Sequence, residues 1–203
     1  MSIEIKKPFG PSIAKIIMPN EVVTSMNEYV EEIIMDNSKS KDLDYGYNLA
    51  GNVQQEFRLD LEFMKKNNWA EFLGKSCQKW LSEGHNISIK KFEIISSWIV
   101  RQFKNEYNPI HYHDGQISGV GYLQIPKNMS QNKLVKNKKF KTNGTIDFIN
   151  GQKNLLSNSI YNLKPKLGNL LIFPSYLMHS AYPFNVDGER RSFSFNAKII
   201  FKK

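Results

Sequence analysis

The sequence holds a single cysteine, Cys77, so no internal disulfide can form. That agrees with a reducing compartment and removes the meaning of the Asn-x-Ser/Thr triplets at Asn86, Asn128 and Asn143 as glycosylation acceptors. No apolar run approaches the roughly 20 residues a membrane helix needs, which excludes a helical membrane span. The first residues alternate charged and apolar blocks without an apolar stretch ending in small residues, so they do not read as a signal peptide. The expectation is a cytoplasmic, intracellular protein. Arginine is scarce, occurring only at Arg58, Arg101, Arg190 and Arg191. Without an arginine-rich, aromatic-interleaved patch, nucleic acid is not the expected partner, although 28 basic against 19 acidic residues give a net charge of +9. Such an excess still favours an anionic ligand of some kind.

What is present suits one folded unit. With 203 residues, 40% hydrophobic and 12% aromatic, the chain can bury one sizeable core and is too short for two ordinary domains. We read residues 1–203 as a single domain, with a mostly helical part over 1–90 and a β-rich core over 91–203. Val22, Val23, Met26, Tyr29, Val30, Ile33 and Ile34 recur at helical spacing, with Asn20 as N-cap and Asn37-Ser38 closing the pattern. A second amphipathic helix runs through Trp69, Phe72, Leu73, Ser76, Cys77, Trp80 and Leu81 and is expected to end near Gly84.

From about residue 88, short runs of Ile, Val, Phe, Tyr and Ser alternate with turn pairs such as Asn143-Gly144 and Asp187-Gly188. Strands are expected at about 92 to 103, 117 to 125, 145 to 150, 159 to 163, 169 to 173, 178 to 183 and 190 to 201. So many short strands suit a sandwich or barrel, with the helices covering one face of the same core. The fold class is therefore mainly β with N-terminal helices (α+β).

Four histidines could carry chemistry. His85, in a polar stretch after a helix, reads as an exposed loop residue. His111 and His113 are separated by one residue, and in an extended segment both face one side and can reach one metal ion. A pair alone is weak evidence, and His179, in a short segment after Phe173-Pro174-Ser175, is the candidate third ligand. Beyond it, Arg190, Ser192, Ser194 and Asn196 alternate with Arg191, Phe193, Phe195 and Ala197, which places one polar set on one face of a strand. An arginine facing a sheet interior calls for an anion or many hydrogen bonds. Its planar fork matches a carboxylate, and a neighbouring serine hydroxyl can complete the grip.

Four blocks carry a family resemblance: Asn108 to Gly115, Ser118 to Leu123, Gly168 to Ser175 with His179, and Glu189 to Asn196. In order and spacing they resemble the 2-oxoglutarate/Fe(II) oxygenases of bacteria and tailed phages, distant relatives of the prolyl 4-hydroxylases, over about residues 95 to 198. The resemblance implies a double-stranded β-helix, or jelly roll, that binds Fe(II) and 2-oxoglutarate as cofactors. His111 falls on the first ligand of the family's H-x-D/E motif and His179 on its distal histidine. Arg190 and Ser192 fall on the R-x-S pair that holds the cosubstrate's far carboxylate, and the ten residues between His179 and Arg190 match the usual interval. Tyr122 is a further candidate for that carboxylate.

The middle ligand departs from the pattern. The position two after His111 holds His113, and the nearest carboxylate, Asp114, comes one residue late, where strand parity turns it to the other face unless a bulge rotates it. His111, His113 and His179 form the preferred metal set, with Asp114 in reserve. The implied activity is a dioxygenase that hydroxylates a C–H bond of a small-molecule or protein substrate, consuming O2 and releasing succinate and CO2. The alternative is a non-catalytic jelly-roll protein that binds a metal or ligand. Trp98, Arg101 and Gln102 precede the metal motif and are candidates for lining the approach. The basic segment Lys133 to Lys141 reads as a solvated loop.

Overall fold

The runs of β-branched and aromatic residues after residue 88 pair into two antiparallel sheets in the computed structural model, which describes residues 2–129, 142–156 and 158–202. The larger has seven strands in the order β1 (Ile3–Lys6), β2 (Ile13–Ile17), β9 (Asn169–Pro174), β6 (Ile117–Gln124), β11 (Arg190–Phe201), β4 (Ile89–Gln102) and β3 (Gln55–Arg58). The smaller has four, in the order β5 (Asn108–His111), β10 (Met178–Ala181), β7 (Ile146–Ile149) and β8 (Ile160–Leu163). This is the jelly roll expected from the sequence. The segment Lys133 to Lys141 lies outside the described residues.

Each long strand of the large sheet divides its side chains between two cores. On β11, Phe193, Phe195 and Ala197 face the helices and join Ile99, Leu170 and Ile172 under α1 (Asn20–Met35), α3 (Leu61–Lys66) and α4 (Trp69–His85). The helices supply Met26, Tyr29, Val30 and Ile33 from α1, and Trp69, Leu73, Cys77 and Trp80 from α4. These positions recur at three- and four-residue intervals, which is why one stripe of each helix is dry. Burial of each such side chain contributes about 1.5–3 kcal/mol. On the opposite face, Tyr122, Leu171 and Phe173 of the large sheet meet Ile146 and Phe148 of the small one.

Two glycines of β6 allow this packing. Gly119 and Gly121 stand opposite Phe195 and Phe193 in the β6–β11 register, and a Cβ at either would enter the phenylalanine ring beside it.

The helix ends differ from expectation. Asn20 is the first helical residue of α1, and the carbonyl of Pro19 takes the amides of Val22 and Val23. The helix stops at Met35 because Asp36 leaves the helical backbone and caps a short α2 (Asn37–Asp42), accepting from the amides of Ser38 and Lys39. At the end of α4 the left-handed residue is Asn86, with φ of 55°, rather than Gly84. Asparagine tolerates that conformation. The first 90 residues also supply three strands, β1, β2 and β3, to the edges of the large sheet. No helix among the described residues is long and apolar enough to cross a membrane.

Candidate active site

Strand pairing brings the histidines together. In the β5–β10 register His111 stands opposite His179, and their ring centroids are 4.3 Å apart. His113 follows β5, where its amide donates to the Ser175 carbonyl at 3.0 Å, and its ring lies 4.9 Å from each of the other two. The candidate ligand atoms of all three lie within 4.8 Å of one another. Asp114 is exposed and lies outside this group, in a bend after β5. His85 is exposed and closes α4, where its Nε2 lies 2.6 Å from Ser12 Oγ, remote from the cluster.

The donor chemistry fits a divalent metal. His111 Nδ1 lies 2.7 Å from the Pro109 carbonyl and His179 Nδ1 lies 2.9 Å from the Leu177 carbonyl. A carbonyl only accepts, so both rings carry their proton on Nδ1 and present an Nε2 lone pair inward. His179 Nε2 and His113 Nε2 are 3.2 Å apart, a separation at which two lone pairs require a proton or a cation between them. Burial lowers the pKa of His179 to about 3, with His111 and His113 adding to the effect, and lowers that of His113 to about 4, with His111 adding. Burial also lowers the pKa of His111, against the Pro109 hydrogen bond. All three are therefore neutral imidazoles near pH 7, as metal ligation requires.

The histidines form one wall of a cavity of about 180 Å³ between the sheets. Phe173 and Phe148 press against His179, at 4.9 and 5.9 Å between ring centroids, and Trp98 lies 5.4 Å from His113. Along β11, Arg190, Ser192 and Ser194 face this cavity, and Tyr122 stands beside Ser192 on β6. Arg190 is 4% exposed. Its guanidinium donates to the Gly144 carbonyl at 2.8 Å and to the Gln102 side-chain oxygen. No carboxylate pairs with it among the described residues. Burial lowers its pKa, which marks a cation held in a dry place without its counter-ion. Burial pushes the Tyr122 hydroxyl up to about 12, so it remains a hydrogen-bond donor.

The flanking residues fix which way Arg190 points. Glu189 and Arg191 occupy the other face of the strand. There Glu189 receives Arg101 at 2.8 Å and Arg191 at 2.6 Å, while Arg191 also reaches Glu31 of α1 at 2.7 Å. Burial works to raise the Glu189 pKa, and the two arginines outweigh it, leaving the pKa below the usual carboxylate range. Of the three candidates for the approach, Trp98 lines the cavity, Gln102 supports Arg190, and Arg101 belongs to the ionic network on the far face. Sequence reading missed Glu56, Asn108 and the wall Asn48 to Gly51, all of which line the cavity.

With this geometry in hand, a model of the family described as "Putative 2OG-Fe(II) oxygenase" matches residues 96–196, the stretch that carries the histidines and Arg190. The chain belongs to this 2-oxoglutarate/Fe(II) oxygenase family. It is accordingly a 2-oxoglutarate-dependent non-haem iron dioxygenase, with Fe(II) and 2-oxoglutarate as cofactors. Solved structures agree at the level of fold. A prolyl-4-hydroxylase of Pseudomonas putida shares 12% identity over 94% of this chain and 92% of its own, with a TM-score of 0.55. The viral collagen prolyl hydroxylase of Paramecium bursaria Chlorella virus-1, in a 2-oxoglutarate complex, shares 13% over 94% of this chain and 96% of its own, at 0.58. Iron-bound HygX from Streptomyces hygroscopicus shares 12% over 91% and 81%, at 0.57. A sequence search finds no significant match among curated proteins.

Proposed function

We propose that this oxygenase hydroxylates a C–H bond of a small molecule or of a peptide side chain, converting 2-oxoglutarate and O2 to succinate and CO2. One oxygen atom enters the product and the other enters succinate, so the reaction balances without a further reductant. The observation that carries this reading is Arg190, a buried guanidinium without a carboxylate partner among the described residues, facing the same cavity as three convergent neutral imidazoles.

In this reading His111, His113 and His179 hold Fe(II) through their inward nitrogens. The metal supplies the redox chemistry with O2 that removes carbon dioxide from the cosubstrate and oxidises the substrate. The protein's own residues do the rest. Arg190 binds the cosubstrate's far carboxylate through its planar fork, and the hydroxyls of Ser192 and Tyr122 donate to the same group. The Pro109 and Leu177 carbonyls fix two of the imidazole rings. Phe148, Phe173 and Trp98 exclude water around the ligands. A single domain working in a reducing cytoplasm is consistent with the free, buried Cys77.

The decisive experiment is an anaerobic titration of the purified protein with Fe(II) and 2-oxoglutarate, followed by the weak visible charge-transfer band of the chelate. On admitting O2, succinate should form slowly even without substrate. A band without succinate, across a broad set of substrates, would identify a binding module of the same shape; absence of the band would remove the assignment.

A further inference from the structure

The cavity has a second polar wall that the oxygenase reaction, as described, leaves unused. Glu56 of β3 is 2% exposed, lines the cavity, and leaves its Oε2 without a hydrogen-bond partner among the described residues. Asn108, on the same strand as His111, lines the same space, and its Oδ1 also has no partner among the described residues. Gly51 closes the side between them. A Cβ there would run into the Asn108 oxygen and come within 3.2 Å of Glu56 Oε1, so the glycine keeps room beside the Asn108 amide and the second oxygen of the Glu56 carboxylate.

Sheet register places this wall relative to the cosubstrate. Glu56 stands opposite Val100, Val100 opposite Ser192, and Ser192 opposite Tyr122. These four side chains form one row across the sheet and all face the cavity. Two strand spacings, about 10 Å, separate Glu56 from Ser192. One side of the cavity thus offers the Arg190 guanidinium and two hydroxyls, and the other offers the Glu56 carboxylate with the Asn108 amide.

We propose that Glu56 and Asn108 form the substrate-recognition end of the cavity and take a positively charged N–H donor, an ammonium carried on a small molecule or on a peptide side chain. This rests on the oxygenase reading for the location of the reacting centre, and adds the chemical class of substrate. A carboxylate and an amide side chain lining one cavity suit a group that has only donors. No cationic side chain pairs with Glu56 among the described residues, while Glu106 and Asp44 add like charge. Burial and those two neighbours push its carboxyl up to about 7, so an incoming cation would relieve an uncompensated site. A buried carboxylate oxygen unpaired among the described residues calls for a ligand, an ion or a water to satisfy it.

The test uses the full-length protein loaded with Zn(II) and 2-oxoglutarate, which prevents turnover, and ligand-observed NMR. The probes are n-butylammonium, n-butanol, butyrate and an end-blocked Gly-Lys-Gly peptide. We expect n-butylammonium or the peptide to bind about tenfold more tightly than butanol or butyrate, the ratio of a charge-assisted contact to a neutral one. Whichever cation binds better tells a free amine from a side chain. In E56Q the preference should fall below about twofold, and G51A should lose it by filling the space. Equal affinity of wild type for the cationic and neutral probes, or an undiminished preference in both variants, would overturn the proposal. Wild-type 2-oxoglutarate binding, measured in parallel, separates the two readings: cation selectivity without it refutes only the oxygenase assignment, and the reverse refutes only the inference drawn here.

Discussion

His111 and His179 face each other across the β5–β10 pair, and each ring places Nδ1 against the carbonyl two residues before it, Pro109 and Leu177. This repeated local bond sets both imidazoles in the same tautomer before any metal arrives. Replacing either histidine by alanine should lower iron affinity more than about 100-fold, beyond the range seen for supporting residues. The D114A variant should bind iron as wild type does. Equilibrium dialysis with folded protein, verified by circular dichroism, decides the matter, and loss of iron in D114A would restore the aspartate as a ligand.

Substituting Arg190 by methionine should separate cosubstrate from metal. Removing one member of a buried charge pair costs about 2–4 kcal/mol, so the Kd for 2-oxoglutarate should rise roughly 30- to 1,000-fold. Iron affinity without cosubstrate should remain within about twofold, because the histidines hold the metal independently. Equal loss of both in a folded variant would contradict the assigned role.

Glu56 makes stability depend on pH in a definite direction. Its folded pKa lies near 7, above the ordinary value of 4.5, so between these values the folded state binds more protons than the unfolded one. Stability from this group is therefore present below about pH 4.5 and lost as pH rises through about 7. The groups acting on Glu56 are Glu106 and Asp44. The melting temperature of E56Q minus that of wild type should grow from pH 5 to pH 8, and calorimetry showing a flat or falling difference would refute this.

Gly121 should not tolerate alanine. The added methyl would enter the ring of Phe193, and overpacking of this kind costs about 1–3 kcal/mol. For a chain of this size that lowers the melting temperature by roughly 2–4 °C per kcal/mol. A truncating second change, F193L, should recover part of the loss; failure to do so would place the strain elsewhere.

Much of the β core is readable because its signals are local. Each strand expected between 92 and 201 has a counterpart, since β-branched runs bounded by Asn-Gly and Asp-Gly pairs report directly on pairing. The convergence of His111, His113 and His179 is readable for a related reason, as two of the three lie within one short extended segment. The strands β1, β2 and β3 are not readable, because they are short, carry lysine or arginine, and lie at or beside the edges of the sheet. Strand β5 is hidden by Pro109 and by its length of four residues. Glu56 gives no sequence signal at all: its burial arises only when Val100, far along the chain, pairs with it. Nor do Glu189 and Arg191 announce that they orient Arg190 by binding one another on the opposite face.

That alternation makes the stretch from Glu189 to Asn196 unforgiving of changes in length. One inserted residue would rotate the whole segment by half a turn, sending Arg191 toward the metal chamber and Arg190 toward α1. Both the anion clasp and the ionic tie to the helix would fail at once, although every amino acid were retained. Along β11 a change of residue can thus be local, whereas a change of length is tolerable only in the connecting loops.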